Sequence, residues 1–563
     1  MRTPIGAPDG PDPDLDTPVL PSHEDPLVRA TSTLVGGPVG RHARLGGRRW
    51  WTVWRVLVAL TVLTCTLGWA QKAQCRDTRN WAQEHSSGVY QYTRLCYSDV
   101  VALYGGEGLS AGRVPYLDHP VEYPVLIGAV MDLSRRVATL GDPARPVPGQ
   151  QGARDSHDSF TLDGRAALFY DVTLLLMALS MLAVVIFTGL TAGRRRSWDA
   201  ALVALAPAAV IHLGTNWDMV AVALASGAIF LWSRSRPLAA GLVLGLAVAA
   251  KAYPLLFLLP IALLCLRAGR VRAFGRTLAG TLASLVGVYA AIWPFSPAFA
   301  SQAGEDGRFA VLGPSAWQAL TGPGGSFAAA RAALAPHHDG GANGLLRFVT
   351  LNRERPADFD SLWYGVQRLT GSDIPAGRLT LGVVGGLLLV GGGVAALALL
   401  APRRPRLPQL LFLLIAGFLL TNKVFSPQYT LWLLPLAVLA RPRWRAFLAW
   451  QASEVLLLVA RFGFFINLGK DDKGAQYGWF VTTVLLRDAM ILLLCALVVR
   501  DVLRPEHDAV RGPDGQGYDD PAGGVLDGAP DPPAFAPRRG PPSYQEWSPL
   551  VLDEEPPRPA VLV

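Results

Sequence analysis

Between residues 51 and 500 the chain alternates apolar runs of 14 to 27 residues with polar connections, and the connections themselves alternate in character. About 20 apolar residues in a helix cross the hydrocarbon of a bilayer, so these runs predict membrane spans. They fall at 51–71, 165–191, 198–214, 217–233, 237–250, 254–267, 277–294, 378–401, 408–422, 427–440, 443–463 and 478–500. Arginine gathers in "RHARLGGRRW" ahead of the first span, and then in every second connection: "GRRRSWD", "SRSRP", "RAGRVRAFGR", "APRRPRLP" and "RPRWR". Basic loops accumulate on the cytoplasmic side. Alternation therefore puts both termini inside and three regions outside: 72–120, 295–377 and the short "NLGKDDKGAQYG" loop.

One stretch disturbs the count. If 121–139 crossed fully, every later basic loop would face outward, so it reads as a re-entrant or surface-lying segment. A full crossing would need a compensating break, for instance within 165–191. Residues 1–49 and 504–563 are rich in Pro, Gly, Asp and Arg without apolar periodicity, and both read as disordered cytoplasmic tails. The second holds "PPAFAPRRGPPSYQEW", for which plain disorder is the simpler reading than a docking motif in an extended helix. The membrane domain is thus 50–503, and the fold class is an all-α polytopic membrane protein.

Composition changes this picture in two ways. The net charge of +8 on 563 residues would suit a nucleic-acid partner, but the arginines lie where topology wants them, and no nucleic acid is expected. Five of the 51 basic residues are lysines, and two of those, Lys251 and Lys423, interrupt apolar segments. Ionisable groups are costly in lipid and mark cavities or function there.

Four polar sets follow from that cost. The first is Asp99 with Glu107, Tyr116, Asp118, His119, Glu122 and Tyr123 downstream. The second is "HLGTNWDMV", with His212, Asn216, Trp217 and Asp218 in an external hairpin. The third is "AAKAYPLLFLLP", with Lys251 and Tyr253 beside helix-breaking prolines. The fourth is "TNKVFSPQYTLW", with Asn422, Lys423, Ser426, Gln428 and Tyr429. Alternation brings all four to the outer face, where convergence on one cavity is the economical reading. A loop carboxylate would act as general base, while lysines arriving on other helices hold an anionic group.

Plainer readings exist for each. Asp218 caps the span that starts there. The lysines snorkel to headgroups. Tyr123 anchors an interfacial segment, and Trp217, Trp293 and Trp432 form an interface belt. Cys75 and Cys96, both on the oxidising side, point to a disulfide stapling the first loop. "PHHD" in the long outer loop reads as surface rather than as a metal site.

At these motifs the chain resembles the polyprenyl-phosphate-mannose-dependent mannosyltransferases of glycosyltransferase family 87, of the GT-C superfold. The matching pieces are Asp99 with "VPYLDHPVEYP", the "NWD" turn at Asn216 to Asp218, "KAYPLLFLLP" and "NKVFSPQYTLWLLPL". The likeness covers roughly 50–500 and not the tails. It implies a GT-C-like bundle of about 11–13 transmembrane helices with a large first external loop, twelve spans being the count above.

It also implies an inverting transfer of a sugar, mannose by family likeness, from a polyprenyl-phosphate donor to an envelope glycolipid or glycan on the extracytoplasmic face. Asp99 matches the catalytic base, with Glu122 and Asp118 as rivals. Lys251, Lys423 and His212 would hold the donor phosphate. Tyr116, Tyr123, Asn216, Asp218, Tyr253, Gln428 and Tyr429 would line the substrate site, with no metal and no cofactor. The competing class is a transporter or flippase of a lipid-linked substrate, which also wants charges at broken helices.

Overall fold

The computed structural model describes residues 25–36, 52–76, 89–140, 165–304, 308–333, 342–469, 473–511 and 520–531. Six helices are long and apolar enough to cross a bilayer: Val53–Cys75, Arg165–Ala192, Val271–Phe295, Ala376–Leu400, Trp444–Gly469 and Tyr477–Leu503. The chain is therefore a helical, membrane-embedded protein. Five shorter apolar helices accompany them: Asp218–Ser233, Pro237–Ala250, Tyr253–Arg267, Leu407–Thr421 and Pro427–Ala440.

The short helices create the site. The longest of the five has 16 residues, which at 1.5 Å per residue is about 24 Å, less than the ~30 Å of hydrocarbon. Each stops or starts at a polar or helix-breaking group on the side that loop charge assigns to the exterior: Asp218, Lys251, Tyr253 with Pro254, Asn422, and Pro427. Five rods that end early leave a hollow in that half of the bundle. They are held tightly beneath it. A Cβ on Gly241 would sit 2.1 Å from the Thr277 carbonyl oxygen, so glycine is what lets Pro237–Ala250 lie against Val271–Ile292.

The expected span 198–214 is not one helix. It comprises a 3₁₀ segment Arg194–Ala200, Ala201–Ala204, and Pro207–His212. Pro207 lacks an N–H and disfavours helical geometry before it, and Ala206 is accordingly extended at φ −64°, ψ 120°. Residues 121–139 contain a 14-residue helix, Val125–Ala138, about 21 Å long.

The described parts of both tails carry fixed structure that their composition does not suggest. Pro26–Gly36 is helical, and Asp25 accepts hydrogen bonds from the amides of Leu27 and Trp444, each at 2.9 Å. Of 504–563, expected to be disordered, residues 505–511 and 520–531 pack against the helix ends that carry Arg267, Arg404 and Arg406. Acids do this. Arg406 donates to both oxygens of Asp508 (2.7 and 2.9 Å) and to the carbonyls of Leu439 and Ala440 (2.8 and 2.7 Å). Asp520 accepts the Leu407 amide at 2.8 Å, and Asp531 pairs with Arg267 and accepts the Arg404 amide at 2.9 Å. Buried arginines leave their partners no freedom to stay disordered, a constraint that composition does not display. The string "PPAFAPRRGPPSYQEW" and "PHHD" lie outside the described residues.

Breaking this clasp has a clear expected result. Arg406→Ala removes the nearest counter-charge of buried Asp508 and leaves it Gln409 at 3.1 Å and Arg511 at 3.7 Å, at a cost of up to about 3 kcal/mol. Thermal unfolding in detergent should show a large drop, and proteolysis should reach 505–531; an unchanged transition would mean that the tail does not support the bundle.

Candidate functional site

The first loop is fastened before it reaches the cavity. Cys75 and Cys96 form a disulfide with Cα atoms 5.6 Å apart, tying the end of the first long helix to the stretch that carries Tyr97 and Asp99. A cross-link closing a loop of this size contributes about 3 kcal/mol in the chain-entropy model. Cys75→Ser should lower the unfolding temperature accordingly, and reductant should no longer affect the variant; equal stability of both proteins would remove the staple from the account.

Ser98 then caps the helix Asp99–Gly106, accepting the Val100 amide at 3.2 Å while donating to the Gly214 carbonyl at 2.7 Å. The Asp99 amide donates to the Thr215 carbonyl at 2.8 Å. Asp99 is thereby locked to Gly214 and Thr215, just ahead of the "NWD" turn and 116 residues along the chain.

A cavity of about 1050 Å³ opens among the early-ending helices. Its wall brings together Asp99, Glu122, Tyr123, His212, Asn216, Lys251, Tyr253, Lys423, Gln428 and Tyr429. Three expected members are elsewhere. Tyr116, fully buried, donates its hydroxyl to the carbonyls of Tyr123 and Pro124, both at 2.9 Å, and braces the loop behind the cavity. Asp118 accepts the Val114 amide at 2.9 Å and closes an exposed turn, so it is removed as a rival base. Asp218 stands behind the wall and serves Lys251.

That pair is the most constrained feature of the site. Lys251 donates to Asp218 at 2.7 Å, and the other Asp218 oxygen accepts the Trp432 indole N–H at 2.9 Å. The Lys251 ammonium also lies 5.2, 5.1 and 5.7 Å from the ring centroids of Tyr123, Tyr429 and Trp432, within cation–π range. Tyr253, Trp432 and Tyr429 stack in sequence at 4.3 and 4.1 Å. Trp432, expected at the membrane interface, is thus part of the cavity wall, and Trp217 is fully buried.

Lys423 is held from outside. Its ammonium donates to the Arg353 carbonyl at 3.0 Å and lies 3.2 Å from the Thr380 hydroxyl. Burial, then the nearby Arg355, lowers its pKa. His212 lines the cavity, and its Nε2 has no protein partner.

Four cations of the wall were not anticipated, the first being Arg353, whose carbonyl holds Lys423. Lys72, at the end of the first long helix, donates to the Tyr97 carbonyl at 2.6 Å. Arg461 enters from Trp444–Gly469, held at 2.7 Å by fully buried Asp360 of the outer loop. Arg355 closes the rim 3.9 Å from Glu122. A polar residue ending an apolar run marked Lys72 in principle; Arg461 carried the same intramembrane-charge signal as Lys251.

The two carboxylates differ in setting. Burial raises the Asp99 pKa, opposed by a hydrogen bond from Tyr97 and by the charges of Arg461 and Lys251. Burial, reinforced by Glu107 and opposed by Arg355, pushes Glu122 up to about 7. Glu107 itself faces His119 at 3.3 Å and accepts the Glu122 amide at 3.2 Å, which holds the rival base in register with the loop. Among the described residues no group of three metal-ligating side chains occurs.

The fold and cavity define a class: an integral membrane protein with a large charged chamber in the half of the bundle assigned to the exterior. No protein-family model matches the chain, and no curated protein matches it.

Proposed function

We propose that this chain is an integral membrane glycosyltransferase that moves a sugar, mannose by family likeness, from a polyprenyl-phosphate donor to an envelope glycolipid or glycan. The observation that carries this reading is the cavity, where two carboxylates of raised pKa stand among six cationic side chains: Lys72, Lys251, Arg353, Arg355, Lys423 and Arg461. A base next to an anion clamp suits attack by a hydroxyl on an anomeric carbon that bears a phosphate.

In the proposed step Asp99 takes the proton of the acceptor hydroxyl as its oxygen bonds the anomeric carbon. The bond from that carbon to the phosphate oxygen breaks on the opposite face, which inverts the centre, and the electron pair leaves on the lipid phosphate. Arg461 and Lys251, both coupled electrostatically to Asp99, are the groups that would meet the growing negative charge. Lys423, held by the Arg353 carbonyl and the Thr380 hydroxyl, joins the outer loop to the cavity rim and would add its charge to theirs.

The test is transfer by full-length protein in nanodiscs, supplied with radiolabelled polyprenyl-phosphate-mannose and an envelope lipid extract. Label appearing in a lipid or glycan product supports the reading. Donor bound and delivered to the opposite leaflet without a product would favour the transporter class instead.

A further inference from the structure

The long outer loop carries an apolar face that the cavity does not use. Residues 308–333 contain no Asp or Glu, and their charges are Arg308 and Arg331. Within them two short helices, Ala316–Thr321 and Phe327–Ala333, pack on each other. Ser315 and Gln318 close the start of the first with a reciprocal cap at 3.3 and 2.9 Å, and Gly324 at φ +74° makes the turn between them. The hairpin is therefore a built element whose outward side chains have fixed directions.

Those side chains are large and apolar. Phe327 is 80% exposed, Val311 58%, Trp317 48%, Phe295 44% and Leu320 43%. Such a patch on an external lobe marks an interaction surface. Two observations identify what covers it. Trp317 packs on Phe295 with centroids 5.4 Å apart, and Phe295 is the last residue of the Val271–Phe295 span, of whose apolar window 11% is buried by protein. The patch thus continues a surface that already faces lipid, at the level where a span leaves the membrane. An aromatic face with arginine and no acid also complements the headgroup layer of anionic lipids.

We infer that the hairpin 316–333 lies in the outer-leaflet interface, with Phe327 and Trp317 turned to acyl chains and Arg331 to headgroups. This anchors the outer lobe beside the cavity at headgroup depth. It stands independently of the transferase reading.

The test uses full-length protein with Cys495→Ala, bearing Phe327→Cys labelled with an environment-sensitive thiol dye, in nanodiscs containing lipid spin-labelled near the headgroup. Gln302→Cys, on the exposed part of the loop's β-strand Ala298–Ala303, is the aqueous control, and Trp317→Cys is a second reporter. The expected result is blue-shifted emission and at least threefold stronger quenching at 327 and 317 than at 302. With Arg331→Gln, the gain in quenching on adding anionic lipid should fall about twofold. Water-like emission and equal quenching at all three sites would overturn the inference, as would a label that becomes shielded only when a soluble protein or glycan is added.

Discussion

On the proposed transferase reading, Asp99→Asn is expected to lower transfer from polyprenyl-phosphate-mannose by about 10²–10⁴-fold, the usual worth of a positioned general base. The change is nearly isosteric, and the Asp99 amide that fastens this helix to Thr215 is untouched, so the unfolding temperature should stay close to wild type. Initial rates in nanodiscs, with a melting curve for each variant, check both halves of the expectation. Glu122→Gln is the necessary companion. With a pKa of about 7, Glu122 gains charge as pH rises through neutrality. If its ionised form takes part, wild-type rate climbs over that interval and the Gln variant shows no such climb. Full activity of Asp99→Asn with loss in Glu122→Gln would move the base to Glu122. Loss in both, with the climb through neutrality kept in the residual activity of Asp99→Asn and absent from Glu122→Gln, would show that ionised Glu122 takes part beside Asp99.

The site was legible in the sequence where charge conflicted with its surroundings. Lys251 and Lys423 each interrupt an apolar run, and both line the cavity. Arg461 made the same conflict inside a 26-residue helix, but its partner Asp360 lies 101 residues away, and nothing local tied the two together. Arg355 sits in a polar loop, where arginine attracts no notice. Tyr116 and Asp118 share the string "VPYLDHPVEYP" with Glu122 and Tyr123, and one string does not mean one wall. The left-handed turn at Tyr116, φ 66°, points its side chain behind the cavity instead. Hydrophobic patterning located the six long apolar helices to within about six residues and marked the five short ones as apolar runs, and it failed at 198–214, where Pro207 divides an apolar run without changing its composition. The tails show the converse: Asp508, Asp520 and Asp531 read as solvated charge until the arginines they meet are known.

The second large effect concerns Lys251 and Asp218, whose side chains are 11% and 1% exposed. Asp218→Ala removes the counter-charge from a buried ammonium and an acceptor from the Trp432 indole, and should cost about 3–5 kcal/mol of stability. Lys251→Met leaves Asp218 still bonded to Trp432, yet unpaired in charge, and should cost a comparable amount. The double variant Lys251→Met/Asp218→Leu removes both desolvated charges, so its loss should be well below the sum of the single losses. A double-mutant cycle of unfolding free energies measures that coupling. Near-additive losses would mean that the ammonium is stabilised by Tyr123, Tyr429 and Trp432 rather than by the carboxylate. Transfer kinetics separate support from contact. If Asp218 acts only by positioning, Asp218→Asn, which keeps an acceptor oxygen, should retain most of kcat and raise the donor KM modestly, whereas Lys251→Gln should depress kcat as the leaving phosphate loses a cation. Equal kinetics in the two variants would place Lys251 in the framework and leave Arg461 as the cation that faces the reacting phosphate.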